Sequence, residues 1–208
     1  MNPKAPFVAL TLSLAIACSR EPAPAPATNQ SAHDAHGAAA PAARTALIGN
    51  LGAYHRAIKT DNAEAQQFFD EGLTLLYGFN HEESFRSFEL AAARDAASPM
   101  PHWGMSLALG TNINDTAPAD RLKQGYAHLA EAQKRRAAGS EVEQGLVDAL
   151  ARRYVADAAG DQVVREQAYS SAMGELARRF PADLDVATLC RELDEPPPVA
   201  SLQAGWHA

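Results

Sequence analysis

The residues AQQFFDEGLTLLYGFNHEESFRSFELAAARDAAS, at positions 65–98, form two apolar runs separated by a Gly-Phe-Asn turn at 78–80. In each run the apolar residues recur three or four positions apart, which is the spacing of one helix face. Small residues on these faces let two helices approach closely, and large ones fill the space between them. The stretch therefore predicts a pair of antiparallel helices joined by a short turn. The small residues are Gly72, Ser84 and Ala91, and the large ones are Phe68, Leu75 and Phe88.

Counted from Ala65, this pattern resembles the tetratricopeptide repeat, a 34-residue unit of two helices. The aromatic fourth position, the glycine at the eighth and the alanine near the end agree with that repeat. Glu71 departs from it at a position that is usually apolar, and Pro99 follows the second helix later than in the family. The resemblance implies a stack of helix pairs whose concave surface binds a peptide or helix of another protein.

The same spacing continues downstream, and we predict seven helices after residue 44. Residues 45–62 lead into the first helix, and Asn62 is its expected cap. Ser98 is expected to cap the third helix, and Ser140 with Glu143 to form a capping box on the fifth. The predicted fold class is therefore all-α, a tetratricopeptide-like α-solenoid of about three helix pairs. The third predicted helix follows its Ser98 cap and stops at Gly110, and a short seventh begins near Asp183. The other predicted helices span about 63–77, 81–94, 119–137, 141–158 and 162–179.

The beginning of the chain has the pattern of a targeting segment. The apolar run at 7–17 is shorter than the roughly 20 residues that a membrane span needs. Residues 14–18, LAIAC, resemble a bacterial lipobox. That resemblance implies a signal peptide at 1–18, lipidation of Cys18 and an envelope protein. Because Ser19 follows, the expected place is the periplasmic face of the outer membrane. An ordinary signal peptide that is cut nearby is the alternative.

Residues 19–44 are rich in alanine and proline and predict a disordered tether, because they offer little to bury in a core. His33 and His36 flank this tether's Asp34 and could hold a metal ion loosely. A solvated linker with incidental histidines explains them as well. The helical domain then spans residues 45–189.

The composition narrows the class of partner. The chain has 208 residues, a formal net charge of −7 and 47% hydrophobic residues, many of which are alanine. Nucleic-acid binding requires clustered basic residues, so the negative charge argues against it. With Cys18 assigned to lipid, Cys190 has no partner for a disulfide, and no disulfide is predicted.

A longer stretch, residues 48–189, resembles a wider group of bacterial tetratricopeptide lipoproteins of largely unknown function. Thr111 stands where that family has proline. After Leu189 the helical pattern stops, and residues 190–208 read as a divergent tail. We attribute the tail to a frameshift that truncates a longer solenoid, and a natural divergent tail is the alternative. The likeness is carried by LGAYH at 51–55, AQQFFDEGL at 65–73, YGFNHEES at 77–84, HWGM at 102–105, LGTNIN at 109–114 and FPADLDVATL at 180–189.

The sequence contains no complete catalytic motif. HEESF at 81–85 begins like a zinc-protease helix but has Phe85 where the second histidine is needed. No phosphate loop, nucleophile elbow or paired-cysteine metal site is present. We therefore predict a binding protein without a cofactor rather than an enzyme. Two alternatives remain open: the amino-terminal part of a larger enzyme, and a metal- or haem-binding module that uses His55, His81, His102 and His128.

The expected binding site follows from the resemblance. In tetratricopeptide arrays the first helix of each pair lines the concave face. Two asparagines of the loop after the third helix, Asn112 and Asn114, lie in an insertion next to that face. They either contact a ligand or satisfy loop backbone groups. The expected partner is a protein or peptide with hydrophobic side chains. The groove-facing positions of the first repeat are Gln66, Phe69, Leu73, Leu76 and Tyr77.

Overall fold

The structure, a computed structural model, describes residues 45–112, 114–157 and 160–194. These residues form seven α-helices and no strand, which confirms the all-α class for this part of the chain. No described helix is both long and apolar enough to cross a bilayer. The predicted signal peptide with Cys18 and the tether at 19–44 lie outside the described residues. The helices are α1 (Ala63–Tyr77), α2 (His81–Arg94), α3 (Met100–Ala108), α4 (Ala119–Arg135), α5 (Glu141–Leu150), α6 (Gln162–Arg179) and α7 (Leu184–Asp194), with a 3-10 turn at Arg136–Ala138.

The first two helices have the bounds that the sequence predicts, because each begins at an asparagine cap. The Asn62 side chain accepts hydrogen bonds from the backbone N–H groups of Glu64 and Ala65, both at 3.0 Å. The Asn80 side chain accepts one from the N–H of Glu83 at 3.4 Å. These caps satisfy N–H groups that have no carbonyl partner inside the helix, so they fix where each helix starts.

Helix α3 starts without the predicted cap. Pro99 occupies the N-cap position and Pro101 lies in the first turn, where a missing N–H costs little. The Oγ of Ser98 is buried and makes no hydrogen bond to the described residues. The predicted Ser98 cap is therefore wrong, because the proline that follows it takes the capping position without offering a side-chain acceptor.

Helix α5 begins as predicted but ends early. Ser140 and Glu143 form the predicted capping box, in which the Ser140 N–H donates to Glu143 Oε2 at 2.6 Å. The helix ends at Leu150, whose carbonyl accepts a hydrogen bond from the Arg153 N–H at 3.0 Å. Arg153 turns inward, is 4% exposed and donates through Nε to Glu166 at 2.9 Å. This buried ion pair marks the early end of the helix, which the apolar spacing alone does not reveal.

Helix α7 continues past the predicted end of the domain at Leu189. Asp183 caps it by accepting a hydrogen bond from the Val186 N–H at 3.0 Å. Val186 and Leu189 are buried, and Cys190 packs against the same core. These three residues share one helix face, and the helix runs on to Asp194. The expectation that the helical pattern stops after Leu189 is therefore wrong as far as Asp194, and the remainder of the tail lies outside the described residues.

Each helix packs mainly against a neighbour along the chain, with contacts between α1 and α2, α2 and α3, α3 and α4, α4 and α5, α5 and α6, and α6 and α7. In addition α1 contacts α3 and α3 contacts α5, so alternate helices lie side by side. The core of the first three helices contains Phe88, which is fully buried and whose ring centre lies 5.5 Å from that of Phe69. Gly72 on α1 and Gly104 on α3 both face the Phe88 ring, where a side chain would have no room.

Replacing Gly104 with alanine is expected to destabilise the domain by about 1–3 kcal/mol, because it overpacks the core. The new Cβ would lie 2.6 Å from Phe88 Cε1, and Gly72 crowds the same edge of that ring. Urea denaturation followed by circular dichroism measures the loss. Gly174→Ala is the matched control, because its Cβ would meet nothing closer than 3.7 Å. Equal effects in both variants would contradict the close packing of Phe88.

Candidate functional site

The pre-helical segment is residues 45–62, and its part at 54–58 runs along α1 in the opposite direction to that helix. The side chains at 56 and 58 are buried and Tyr54 is half-buried, whereas those at 55, 57 and 59 are exposed. An alternation of two is typical of an extended chain. The helices therefore hold a stretch of extended peptide that belongs to the same molecule. Along residues 54–58 the contacts with α1 include Tyr54 with Tyr77, Arg56 with Asp70, and Ile58 with Gln66. Before this stretch, the Ile48 N–H donates to the Glu71 carboxylate.

Side chains of α1 bind the backbone of this segment. The Arg56 N–H donates to Asp70 Oδ1 at 3.0 Å. Gln66 donates through Nε2 to the Arg56 carbonyl at 2.8 Å and accepts from the Ile58 N–H at 2.9 Å. The Gln66 amide thus pairs with the segment much as a neighbouring strand would, and these bonds do not depend on which side chains the segment carries.

Glu143 joins the same segment to α5. Glu143 is 2% exposed, and its Oε1 accepts a hydrogen bond from the Lys59 N–H at 2.7 Å. Its other oxygen serves the capping box of α5. One residue further along, Thr60 Oγ1 donates to Asp95 Oδ2 at 2.6 Å, just after α2. The pre-helical segment is therefore bonded to α1, to α5 and to the end of α2.

The Arg56 side chain reaches the start of α7. Arg56 is 7% exposed, and its Nη1 lies 2.7 Å from Asp183 Oδ1 and 2.9 Å from Asp185 Oδ2, while Nη2 lies 3.1 Å from Asp183 Oδ2. Burial by itself would raise the pKa of Asp183, but hydrogen bonds from Arg56 and from the Val186 N–H outweigh it and lower that pKa. Asp183 is therefore an ionised partner of the buried Arg56, and Asp185 is its second hydrogen-bond acceptor.

Two tyrosines complete this cluster. The rings of Tyr54 and Tyr77 meet edge to face with their centres 5.8 Å apart. Both hydroxyls donate to Asp185 Oδ1, that of Tyr77 at 3.1 Å. Burial raises the pKa of both tyrosines above its ordinary value, and the charge of Asp185 raises it further. The hydroxyls therefore stay protonated near neutral pH and act as donors. We name Tyr54, Arg56, Tyr77, Asp183 and Asp185 together the arginine cluster.

The structure places the predicted groove residues of α1 next to the chain's own residues. Phe69 and Leu73 are fully buried and Leu76 is 8% exposed. Gln66 and Tyr77 are half-buried, and both hydrogen-bond to other parts of the chain, to the pre-helical segment and to Asp185 respectively. Gln66 and Tyr77 thus contact one peptide segment already, while Phe69, Leu73 and Leu76 belong to the core beneath. That these five residues bind a partner protein stays a prediction.

The predicted loop residues Asn112 and Asn114 lie in a tight turn. The Asn112 N–H donates to the Asp115 carbonyl at 2.9 Å, and the Asn112 side chain accepts from the Asn114 N–H at 2.8 Å. The buried Arg153 also donates to the carbonyl of Thr111. Asn112 therefore satisfies loop backbone groups, and contact of either asparagine with a ligand stays a prediction.

Of the four histidines considered as ligands, two share a contact. The rings of His102 on α3 and His128 on α4 stack with centres 6.3 Å apart, and the ring of Phe85 packs edge to face on His128. His55 lies elsewhere, with Nδ1 2.7 Å from Asp70 Oδ2. Among the described residues, no three histidine, cysteine, aspartate or glutamate side chains lie close enough together to hold a metal ion.

The free energy of unfolding is expected to fall as the pH drops from about 6.5 towards about 4, in part through His102. Burial, followed by the charges of Arg135 and His128, lowers the His102 pKa from 6.5 to about 4. In that pH window the unfolded histidine binds a proton and the folded one does not, so acid favours the unfolded state. Urea denaturation at several pH values measures the slope. We expect a shallower slope for His102→Gln, and parallel profiles would contradict the assignment.

Sequence reasoning assigned no role to Arg56, Asp183 or Asp185. Nothing in a single sequence pairs an arginine with a carboxylate 127 positions away. In the structure, buried and exposed side chains alternate around Arg56, which places this charged residue on the same face as the aliphatic Ile58. A charge on an apolar face indicates a buried ion pair, although it does not name the partner.

Comparison with models of known protein families found no match, and neither did the comparisons with curated proteins and with solved structures.

Proposed function

We propose that this protein is an adaptor of the bacterial envelope, a tetratricopeptide-like solenoid that binds a peptide segment of a partner protein. The observation that carries the proposal is the binding of residues 54–60. Side chains of α1 and α5 bond the backbone of this stretch, and residues at the start of α7 bond its arginine. A surface that holds one extended segment by its backbone is suited to holding another.

The order of helix contacts supports the repeat architecture in this proposal. Neighbouring helices pair along the chain, and α1, α3 and α5 lie side by side as the first helices of successive pairs. Stacked helix pairs bury a shared interior while leaving one row of helices along a common surface. The pre-helical segment contacts two members of that row, α1 and α5.

Anchoring through Cys18 is the second part of the proposal. The residues at 14–18 resemble a lipobox, and acylation adds about 0.8 kcal/mol for each methylene group buried in the bilayer. Cys18→Ala is expected to move the protein from the membrane to the soluble fraction after cell lysis. Unchanged partitioning of this variant would contradict the anchor without affecting the peptide-binding part of the proposal.

Site-specific photocrosslinking in intact cells tests the adaptor function. A photoreactive phenylalanine analogue replaces Thr74, which is half-buried on the face of α1 that also carries Gln66 and Asp70. The control position is Lys123, which is exposed on α4. We expect a discrete crosslinked protein from position 74 that mass spectrometry identifies and that is absent from position 123. If neither position gives a product, or both give the same products, the adaptor function is contradicted.

Two substitutions on α1 differ in what they can report about binding. Leu73→Asp would bury a carboxylate at a fully buried position and unfold the domain, so it cannot report on binding. Tyr77→Phe is the better probe, because it removes the hydroxyl that donates to Asp185 and keeps the ring.

A further inference from the structure

We propose that residues 54–60 occupy, within the same molecule, the site that receives the partner, and that the partner's segment has the pattern aromatic, any residue, arginine, any residue, aliphatic. This inference rests on the proposed adaptor function and specifies its ligand. Tyr54, Arg56 and Ile58 supply the pattern in this chain.

The receiving surface is acidic and the segment is basic. Five carboxylates of the helical domain accept hydrogen bonds from residues 55–60, two of them from the Arg56 guanidinium. The segment itself carries Arg56, Lys59 and, when protonated, the positive charge of His55. This complementarity favours a basic peptide over an acidic one, because an acidic peptide would face the same carboxylates without a counter-charge. The carboxylates are those of Asp70, Asp95, Glu143, Asp183 and Asp185.

The position of Arg56 specifies arginine rather than lysine. Its two terminal nitrogens both donate, Nη1 to Asp183 and Asp185 and Nη2 to the second oxygen of Asp183. A planar fork fits this pair of carboxylates, whereas a lysine ammonium presents a single nitrogen. Two residues earlier, the Tyr54 ring packs on Tyr77, which selects an aromatic side chain.

The site tolerates different residues at the positions between the three anchors. The side chains at 55, 57 and 59 are exposed, so residues between the three anchors are free to vary. The Arg56 N–H and carbonyl and the N–H groups of Ile58 and Lys59 are bonded through the backbone, which every peptide offers. A different chain with the same three anchors therefore makes the same bonds.

The chain's own segment competes with any such partner. It is covalently joined to α1, so its effective concentration is of millimolar order, as for a short linker. A partner segment binds when its own contacts, or avidity from a second contact, outweigh this competition. Weakening the internal segment at Arg56 should therefore increase the affinity for an added peptide.

A peptide-binding experiment on the full chain tests this inference. The probe is a fluorescent peptide that copies residues 50–61, NLGAYHRAIKTD. We expect it to bind Arg56→Ala at least roughly tenfold more tightly than wild type, because the internal competitor is weakened. It should also raise the melting temperature of this variant. The control peptide, with alanine in place of its arginine, should do neither. Arg56→Lys, which keeps a charge, replaces Arg56→Ala if that variant does not fold.

Three results would overturn the inference. The first is that the probe and the alanine control peptide bind the Arg56→Ala variant with equal affinity, or that the probe binds the wild type and the variant equally. The second is unchanged affinity when Asp183→Asn and Asp185→Asn are added to the variant, because these carboxylates are the proposed receptor. The third is a stable dimer of the wild-type chain by light scattering that the peptide dissociates, since the occupant would then be a second copy.

The two proposals fail in different ways. If the peptide behaves as expected but position 74 crosslinks no envelope protein, the site is real and the adaptor function is wrong. If position 74 crosslinks a partner but the peptide fails to bind, the adaptor function stands and the aromatic and arginine pattern is wrong.

Discussion

Replacing Arg56 with alanine is expected to lower the free energy of unfolding by about 3 kcal/mol, the lower part of the range for removing one partner of a buried ion pair. Arg56 is 7% exposed, and its loss leaves Asp183 and Asp185 next to each other without a counter-charge. Their side chains are each 20% exposed, so water compensates part of the loss. The magnitude therefore falls below that of a fully enclosed pair.

Arg86→Ala is the control for this experiment. Arg86 also pairs with two carboxylates, those of Glu82 and Glu83, but it is 29% exposed and its partners lie on the same helix. Pairs of this kind contribute about 0–1 kcal/mol. Urea denaturation of both variants at neutral pH gives the comparison. Similar losses in the two variants would show that the arginine cluster holds the domain together no better than a surface pair does.

The Arg56→Ala variant also shows which parts of the domain depend on this arginine. Arg56 links the pre-helical segment to the start of α7, so its removal should loosen both ends of the described chain. Hydrogen exchange locates the loosening. We expect the substitution to speed up exchange of the Val186 N–H, because its acceptor Asp183 loses its arginine partner. Exchange of the amides in the middle of α2 should increase less.

The sequence predicted the helices best where a local signal marks their ends. Asn62 and Asn80 are side-chain caps at the start of α1 and α2, and both helices have the predicted bounds. Ser140 with Glu143 is a capping box that is recognisable at a spacing of three residues. Such signals act through neighbouring backbone groups, so a single sequence contains all the information needed.

Prediction failed where distant residues determine the local structure. Helix α5 ends early where Arg153 turns inward to Glu166, and the face of α7 that carries Val186, Leu189 and Cys190 packs against the core. For the site, the resemblance predicts Gln66 and Tyr77 as groove positions, but it does not predict their contacts with the pre-helical segment and with Asp185. The segment that contacts Gln66 was expected only to lead into α1. Its alternation of buried and exposed side chains arises only in the folded chain, because the acidic residues that receive it come from four places in the sequence.

Replacing Phe88 with alanine is expected to destabilise the domain by about 3–5 kcal/mol, which is the usual cost of removing a buried aromatic ring. Phe88 on α2 is fully buried against α1 and α3, and two of its neighbours are Gly72 and Gly104. Glycine has no side chain that could move into the cavity, so the surrounding structure relaxes little. Thermal and urea denaturation measure the loss. Phe79→Ala is the control, because Phe79 is 50% exposed and should cost about 0.5 kcal/mol.

A double variant tests whether the glycines and Phe88 form one packing unit. Gly104→Ala is destabilising in the wild type because its Cβ overlaps the Phe88 ring. In the Phe88→Ala background that ring is absent, so the same substitution should cost nothing or restore stability by filling the cavity. The two substitutions should therefore be non-additive by about 1–3 kcal/mol. Additive effects would mean that Gly104 is required for a reason other than room for Phe88, and the close approach of α2 and α3 would need another explanation.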